Sequence, residues 1–437
     1  MDLAQLFKPV EKIVGVEITQ GYLFAVLVER DKKGLTRVKK KSVSLPAGII
    51  SGGVLKDREA LAGALRGFAQ ANRDVFRSRY VILALPSAFT FTDVMRLPPL
   101  THAQIEESLA LSFKSKAQFP ASAEDIYYDW QPAASPSPLS QDVLVSFASK
   151  ADVNEYVEAC ERAGFQPLAF ETPGISIARA LLNFKDKAGI IIRLLDEGVE
   201  LSVAVKGELR FTRFVGMPEA LKSLDEFKAF VKDEAFRVLN FFGVEYPDLA
   251  LGPAVVISSL AQKRDVSSFL EKELGLAIEP PKFASPVEIG DSSIAAYGAS
   301  LRGLIPRDQD TLVSLMPVGT EENYRARRFL AYVSLWSDIV NATAVLFVVI
   351  FGAALFLLTR VQHSVGAQTV PQSGTGTVQA QVAELEETAR RFNDAVGRLA
   401  LLDEGIFRWS LLLSRLTPTL VHDGITVERI SIPQSDA

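Results

Sequence analysis

Two short acidic stretches are the places where this 437-residue chain could do chemistry. The first, GVEITQG, sets Glu17, Thr19, Gln20 and Gly21 at a turn between apolar runs, and the second, RLLDEGVE, sets Asp196, Glu197 and Gly198 at another. A carboxylate at a turn can hold a divalent cation, and a glycine beside it lets backbone N–H groups approach a phosphate. A pair of such turns is what a nucleotide polyphosphate needs. Both depart from that need. Thr19 stands where a close-approach glycine would help, and Gly21 reads as hairpin chemistry. In the second stretch Arg193 and Leu195 stand where an acid and a glycine belong. The adjacent Asp196 and Glu197 read as a solvated loop, with a rebuilt metal-phosphate site as the alternative. After the apolar run ending at Ile257, where a glycine-rich turn would lie beneath an adenosine, the chain reads SSLAQ.

Other chemistries have less to stand on. The three histidines, His102, His363 and His422, and the single Cys160 cannot assemble a Cys/His zinc site or an internal disulfide. No G-x-x-x-x-G-K-[ST], H-E-x-x-H or G-x-S-x-G run occurs. His102 follows Pro98 and Pro99 and reads as an exposed first residue of a helix rather than a base. A net charge of -5 gives no electrostatic case for nucleic acid. The expectation is a chain that is not an enzyme and holds no metal or cofactor, with weak binding of ATP and magnesium as the alternative.

The elements that must carry these turns repeat. Strands over 12–18, 21–29 and 35–44 are followed by a helix over 57–72, with Leu61, Leu65 and Phe68 at helical spacing, and a strand over 80–85. The same order returns as strands over 189–195, 200–205 and 208–214, a helix over 225–242, a strand over 254–258 and a helix over 266–274. This duplicated strand–strand–strand–helix–strand unit is the ground plan of the actin-like (ribonuclease H-like) α/β fold. Between the halves, strands over 89–95, 125–131 and 143–148 and a helix from Thr101, with Gln104 placed for a capping box, read as a small inserted subdomain over about 88–149. The loop PAASPSPLSQ within it reads as a surface tip.

The run from Ile339 to Leu358, IVNATAVLFVVIFGAALFLL, carries no charge and is long enough for one transmembrane helix. Arg325, Arg327 and Arg328 precede it and Arg360 follows, which places the N-terminal side in the cytoplasm and the C-terminal side in the periplasm. No secretory signal precedes the first strand. Beyond the membrane, a polar linker over 359–377 leads to Val378, Val382, Leu385, Ala389, Phe392, Val396 and Leu399, whose spacings of four and three form the seam of a coiled coil over 378–402. A helix over 407–416 and a strand over 425–432 follow, the start of a truncated α/β domain.

Taken in order, GVEITQGYLFAVLVER, VILALPSAFTFTDVMRLPPL, VLVSFASKADVNEYVEACERAGFQPLAFETPGISIARAL, LSVAVKGELRFTRFVGM and SIAAYGASLRGL resemble the type IV pilus assembly family PilM over about residues 1–305. The remainder, about 310–437, resembles its membrane partner family PilN. That resemblance implies a docking peptide, Val313, Ser314, Leu315, Met316 and Pro317, within a segment over 306–338 that ends in a basic juxtamembrane stretch. Ser314 takes the place of the family's Asn and Met316 that of a Leu, and the peptide is expected to dock on the actin-like domain in cis or on a neighbouring chain. A fusion of this kind also has the architecture of the type II secretion platform protein GspL. The implied role is a non-catalytic inner-membrane scaffold, alternatively a nucleotide-binding switch or a GspL-like subunit. The implied partners are a PilO-like periplasmic protein, a platform membrane protein, a hexameric assembly ATPase and further copies of this chain.

Overall fold

The computed structural model describes residues 12–30, 36–115, 125–133, 140–221, 223–247, 249–258, 260–284, 288–307, 309–317, 320–366 and 375–404. It divides into two compact units, Met1–Ser334 and Leu335–Ala437.

In the first unit, β1 (Val14–Ile18), β2 (Tyr22–Arg30) and β3 (Thr36–Ser44) form an antiparallel meander. A small hairpin, β4 (Ile50–Ser51) and β5 (Val54–Leu55), precedes helix α1 (Arg58–Ala71). Asp57 caps that helix by accepting from the Ala60 N–H, and Leu61, Leu65 and Phe68 form its buried stripe. Strand β6 (Tyr80–Ala84) then returns parallel to β1, with Val14 opposite Val81. Every residue of β1 is buried, as a strand covered on both faces requires.

The inserted elements are β7 (Thr90–Leu97), α2 (His102–Ser115), β8 (Ile126–Ala133) and β9 (Gln141–Ser149). Gln104 Oε1 accepts from the Thr101 N–H and hydroxyl at the start of α2. Helix α3 (Lys150–Arg162), strand β10 (Gln166–Glu171) and helix α4 (Pro173–Ala180) lead into the second half. There β11 (Ala188–Leu195), β12 (Gly198–Val205) and β13 (Glu208–Gly216) form another meander, and α5 (Leu224–Glu245) opens on a complete capping box between Ser223 and Glu226. Strand β14 (Leu251–Ser258) returns parallel to β11, followed by α6 (Lys263–Leu274) and α7 (Ile294–Arg302).

The strand orders are β10-β6-β1-β2-β3 and β14-β11-β12-β13-β7-β9-β8. The two halves therefore repeat, and the inserted strands prolong the second sheet instead of forming one of their own. They join it through two residue pairs only, Phe211 opposite Asp93 and Thr212 opposite Thr92. Helices α4 and α7 cross so closely that a Cβ on Gly298 would fall 1.8 Å from the Ser176 carbonyl oxygen.

One helix, α8 (Thr320–Gly366), contains the span Trp336–Ser364, with a mean hydropathy of 2.6. At 1.5 Å per residue that span exceeds the roughly 30 Å of a bilayer core. Its apolar side chains, including Phe347, Ile350 and Leu355, are exposed. The expected linker over 359–377 is corrected in part: residues up to Gly366 and from Thr375 onward are helical, and neither proline nor glycine interrupts 359–365. Helix α9 (Thr375–Glu404) carries the seam. Val378, Val382, Leu385, Ala389, Phe392 and Val396 are exposed along it, and the Leu399 side chain lies outside the described residues. The segments expected over 407–416 and 425–432 also lie outside the described residues.

Candidate functional site

The two acidic turns face each other at the carboxyl ends of β1 and β11, but they do not make the constellation their sequences suggested. Glu17, the last buried acid of β1, is ion-paired with Arg193 of β11 across the gap between the sheets. Arg193 also donates to Glu200 of β12 at 3.2 Å, and Glu200 accepts from the Ser87 hydroxyl at 2.9 Å. All four residues are buried. Glu17 Oε2 and Glu200 Oε1 have no hydrogen-bond partner among the described residues. Burial pushes the Glu17 carboxyl up, against the pull of Arg193, while the two carboxylates hold Arg193 protonated despite its own burial.

The remaining turn residues are occupied locally. The Thr19 hydroxyl accepts from the Tyr22 N–H at 3.0 Å, and Gln20 Oε1 accepts from the Gly52 N–H at 3.2 Å. Glu197 lines the same cleft as Thr19 and Arg193 and, with Gln20 and Gly21, a pocket beside it. Burial pushes its carboxyl up, opposed by backbone N–H groups of the two turns and by Arg193. Asp196 is exposed at the rim of the same cleft. A Cβ on Gly198 would fall 2.3 Å from the Val215 carbonyl oxygen, so this glycine serves the packing of β13. Gly21 has open space around its Cα. The cleft bounded by Thr19, Arg193, Glu197, Ser258 and Asp291 has a cavity volume of about 30 Å³. Among the described residues no group of three or more His, Cys, Asp or Glu side chains could hold a metal ion.

The structure gathers a second constellation at residues 312–317. Val313 and Leu315 are wholly buried, Val313 in the core around α4 and α7 and Leu315 in the core between the first sheet and α1, with Met316 packed at its edge. The backbone of the peptide is read out in detail. The Leu315 N–H donates to the Phe170 carbonyl of β10 at 2.8 Å, and the Ser314 hydroxyl accepts from the Phe170 N–H at 3.3 Å. On the other side β8 contributes Gln131, which accepts from the Val313 N–H at 3.0 Å, and Asp129, which accepts from the Ser314 N–H at 2.7 Å. Arg302, at the end of α7 and only 1% exposed, donates to the Leu312 and Val313 carbonyls at 2.6 and 2.7 Å. The same guanidinium reaches Glu171 at 3.1 Å and Asp310 at 2.8 Å. Glu171 is also held in a two-bond pair by Arg179 at 2.8 Å. Burial alone would push the Glu171 carboxyl up; Arg179, Arg302 and the Ser176 hydroxyl outweigh it and hold it at about 2. Pro317 ends the described peptide and is half-buried.

The family resemblance singled out residues 313–317, and sequence reasoning singled out one member of the buried ion cluster, Glu17; it read Arg193 only as a missing acid. Glu200, Ser87, Asp129, Gln131, Glu171 and Arg302 escaped it. A signal existed for the cluster. Glu17, Arg193 and Glu200 are single charges of both signs set inside apolar strands, VGVEI, AGIIIRLL and GVELSVAV, and such charges survive burial when they neutralise one another.

Residues 15–213 match the family model of the type IV pilus assembly protein PilM. No curated protein matches the chain. Among solved structures, a PilM–PilN type IV pilus biogenesis complex overlays with a TM-score of 0.57 at 21% identity, covering 68% of this chain and 100% of that one. Looser overlays include the cytoplasmic domain of EpsL, an inner-membrane component of the type II secretion system of Vibrio cholerae, with a TM-score of 0.39 at 10% identity, covering 66% and 94%. Another is the ethanolamine utilization protein EutJ from Carboxydothermus hydrogenoformans, with a TM-score of 0.40 at 13% identity, covering 67% and 90%. The fold is actin-like, and the PilM match spans its first half, the inserted elements and most of the second meander.

Proposed function

We propose that this PilM-like chain is a non-catalytic inner-membrane scaffold of a type IV pilus-like assembly platform, and that it supplies its own PilN-type docking peptide. The observation that carries the reading is the seating of residues 312–315: two wholly buried apolar side chains and backbone hydrogen bonds to β8, β10 and Arg302. A covalent tether raises the local concentration of such a peptide to about millimolar, so a weak sequence stays bound in cis. Trp336–Ser364 would anchor the unit in the membrane with its N-terminal side cytoplasmic, as the arginines before it favour. The exposed seam of α9 would then meet a PilO-like helix or a second copy on the periplasmic side.

The test replaces residues 312–317 by a Gly/Ser segment in the full chain, purified in detergent. Its melting temperature is expected to fall and to recover on titration with a synthetic peptide of residues 310–318. A replaced chain as stable as the original, or one that millimolar peptide does not stabilise, would sink the docking reading. For the machine served, neighbouring genes for a hexameric ATPase, a platform membrane protein and pilins support the pilus assignment, and a secretin with pseudopilins supports a GspL-like role.

A further inference from the structure

The cleft between the two halves of an actin-like fold is where magnesium and a nucleotide polyphosphate are expected, and the residues present here do not fit them. The acid of the first turn, Glu17, faces a guanidinium where the second turn would place another acid. That guanidinium lies between Glu17 and Glu200, the position in which a cation would neutralise both. The acidic Glu197 lines the pocket beside Gln20 and Gly21, the turn that would approach a phosphate. The hydroxyl of Thr19 and the amide oxygen of Gln20 are spent on Tyr22 and Gly52. About 30 Å³ remains around Arg193, and the open pocket beside Gln20, Gly21, Asp196 and Glu197 holds about 220 Å³, each short of the several hundred that a nucleotide-sized ligand fills.

We propose that the chain closes its own cleft with a built-in ion: Arg193 stands in for the metal cation, so that the closed arrangement of the two sheets is independent of nucleotide. The opposing charges come from different halves. Glu17 belongs to the first meander, Arg193 and Glu200 to the second, and Ser87, just after β6, adds a second bridge to Glu200. An ion-paired bridge of this kind is formed during folding and does not turn over. The inference concerns the cleft alone and holds or fails separately from the docking of residues 312–317.

The experiment follows thermal unfolding and backbone hydrogen exchange of the full chain in detergent, with magnesium alone, with magnesium and ATP, and with neither. The original chain is expected to give the same melting temperature and the same exchange at residues 18–21 and 195–199 in all three. Arg193→Ala leaves two buried carboxylates facing each other, so its melting temperature is expected to fall by about 5–8 °C and to recover in part when magnesium is added. Should Arg193→Ala not fold, Glu17→Gln serves: it removes one carboxylate of the pair between the halves, and exchange at residues 18–21 is expected to quicken while magnesium and ATP still have no effect on the original chain. Slower exchange at either turn, or a higher melting temperature, when magnesium and ATP are added to the original chain would overturn the proposal. So would an Arg193→Ala or Glu17→Gln chain whose cleft exchanges as slowly as the original.

Discussion

Arg302→Met is the sharpest probe of how residues 310–315 are held. Methionine keeps an apolar stem in the core but removes every donor of a side chain that is 1% exposed. Four acceptors lose a partner: Glu171 at 3.1 Å, Asp310 at 2.8 Å, and the Leu312 and Val313 carbonyls at 2.6 and 2.7 Å. Removing one member of a buried ion pair costs about 3–5 kcal/mol. Glu171 keeps Arg179 and Asp310 keeps Arg307, which holds the charge part near the low end, while the two carbonyls add about 1–3 kcal/mol each if left dry. Freed of the guanidinium, the peptide can instead lift off and solvate those carbonyls, so the loss is expected to be about 3–5 kcal/mol and to be local. Hydrogen exchange of the Leu315 amide, which donates to the Phe170 carbonyl, reads this opening directly. It is expected to quicken by about 100-fold or more relative to amides of β1 and β11, since each 1.4 kcal/mol is about tenfold. An amide at Leu315 that keeps pace with the β1 core in Arg302→Met would refute the idea that this arginine clamps the peptide.

Acid gives an independent reading of the same cluster. The Glu171 carboxyl sits at about 2 in the folded chain against an ordinary value of 4.5. Its contribution is therefore complete above pH 4.5 and disappears as pH falls toward 2, and integrates to about 3 kcal/mol. The melting temperature of the original chain is expected to drop more steeply through that window than that of Glu171→Gln, and parallel slopes would contradict the assignment. Gly298→Ala is expected to lower the melting temperature by about 5 °C or more, because its Cβ would meet the Ser176 carbonyl oxygen at 1.8 Å and force α4 and α7 apart. An unchanged melting temperature would show that the crossing is looser than described.

How much of this was legible beforehand varies by residue. The meanders were visible because β1, β2, β11 and β12 are apolar runs ended by turns, and α1 and α5 because Leu61, Leu65 and Phe68, or Val231, Ala235, Val238 and Phe242, keep one face. The placement of the inserted strands was not visible, since only the pairs Phe211–Asp93 and Thr212–Thr92 attach them to the second sheet. Such long-range pairing leaves no local pattern. The groove for residues 312–317 was hidden for the same reason: Asp129, Phe170 and Arg302 come from three separate elements, each ordinary alone. At the cleft the types were legible and their geometry was not, so Arg193 read as a loss when it is a partner for Glu17.

The burial of Val313 and Leu315 also has a consequence for the order of synthesis. The core of the first unit is incomplete until these two residues have been made, and Trp336, where the apolar span begins, lies 21 positions beyond Leu315 (336 minus 315). At roughly 5–20 residues per second, ribosomes reach it about 1–4 s later. Completion of the domain and arrival of the hydrophobic helix are thus nearly simultaneous on the ribosome. A chain released early, before residue 313, leaves Arg302 without the carbonyls that receive it, and so is marked as unfinished by its own structure.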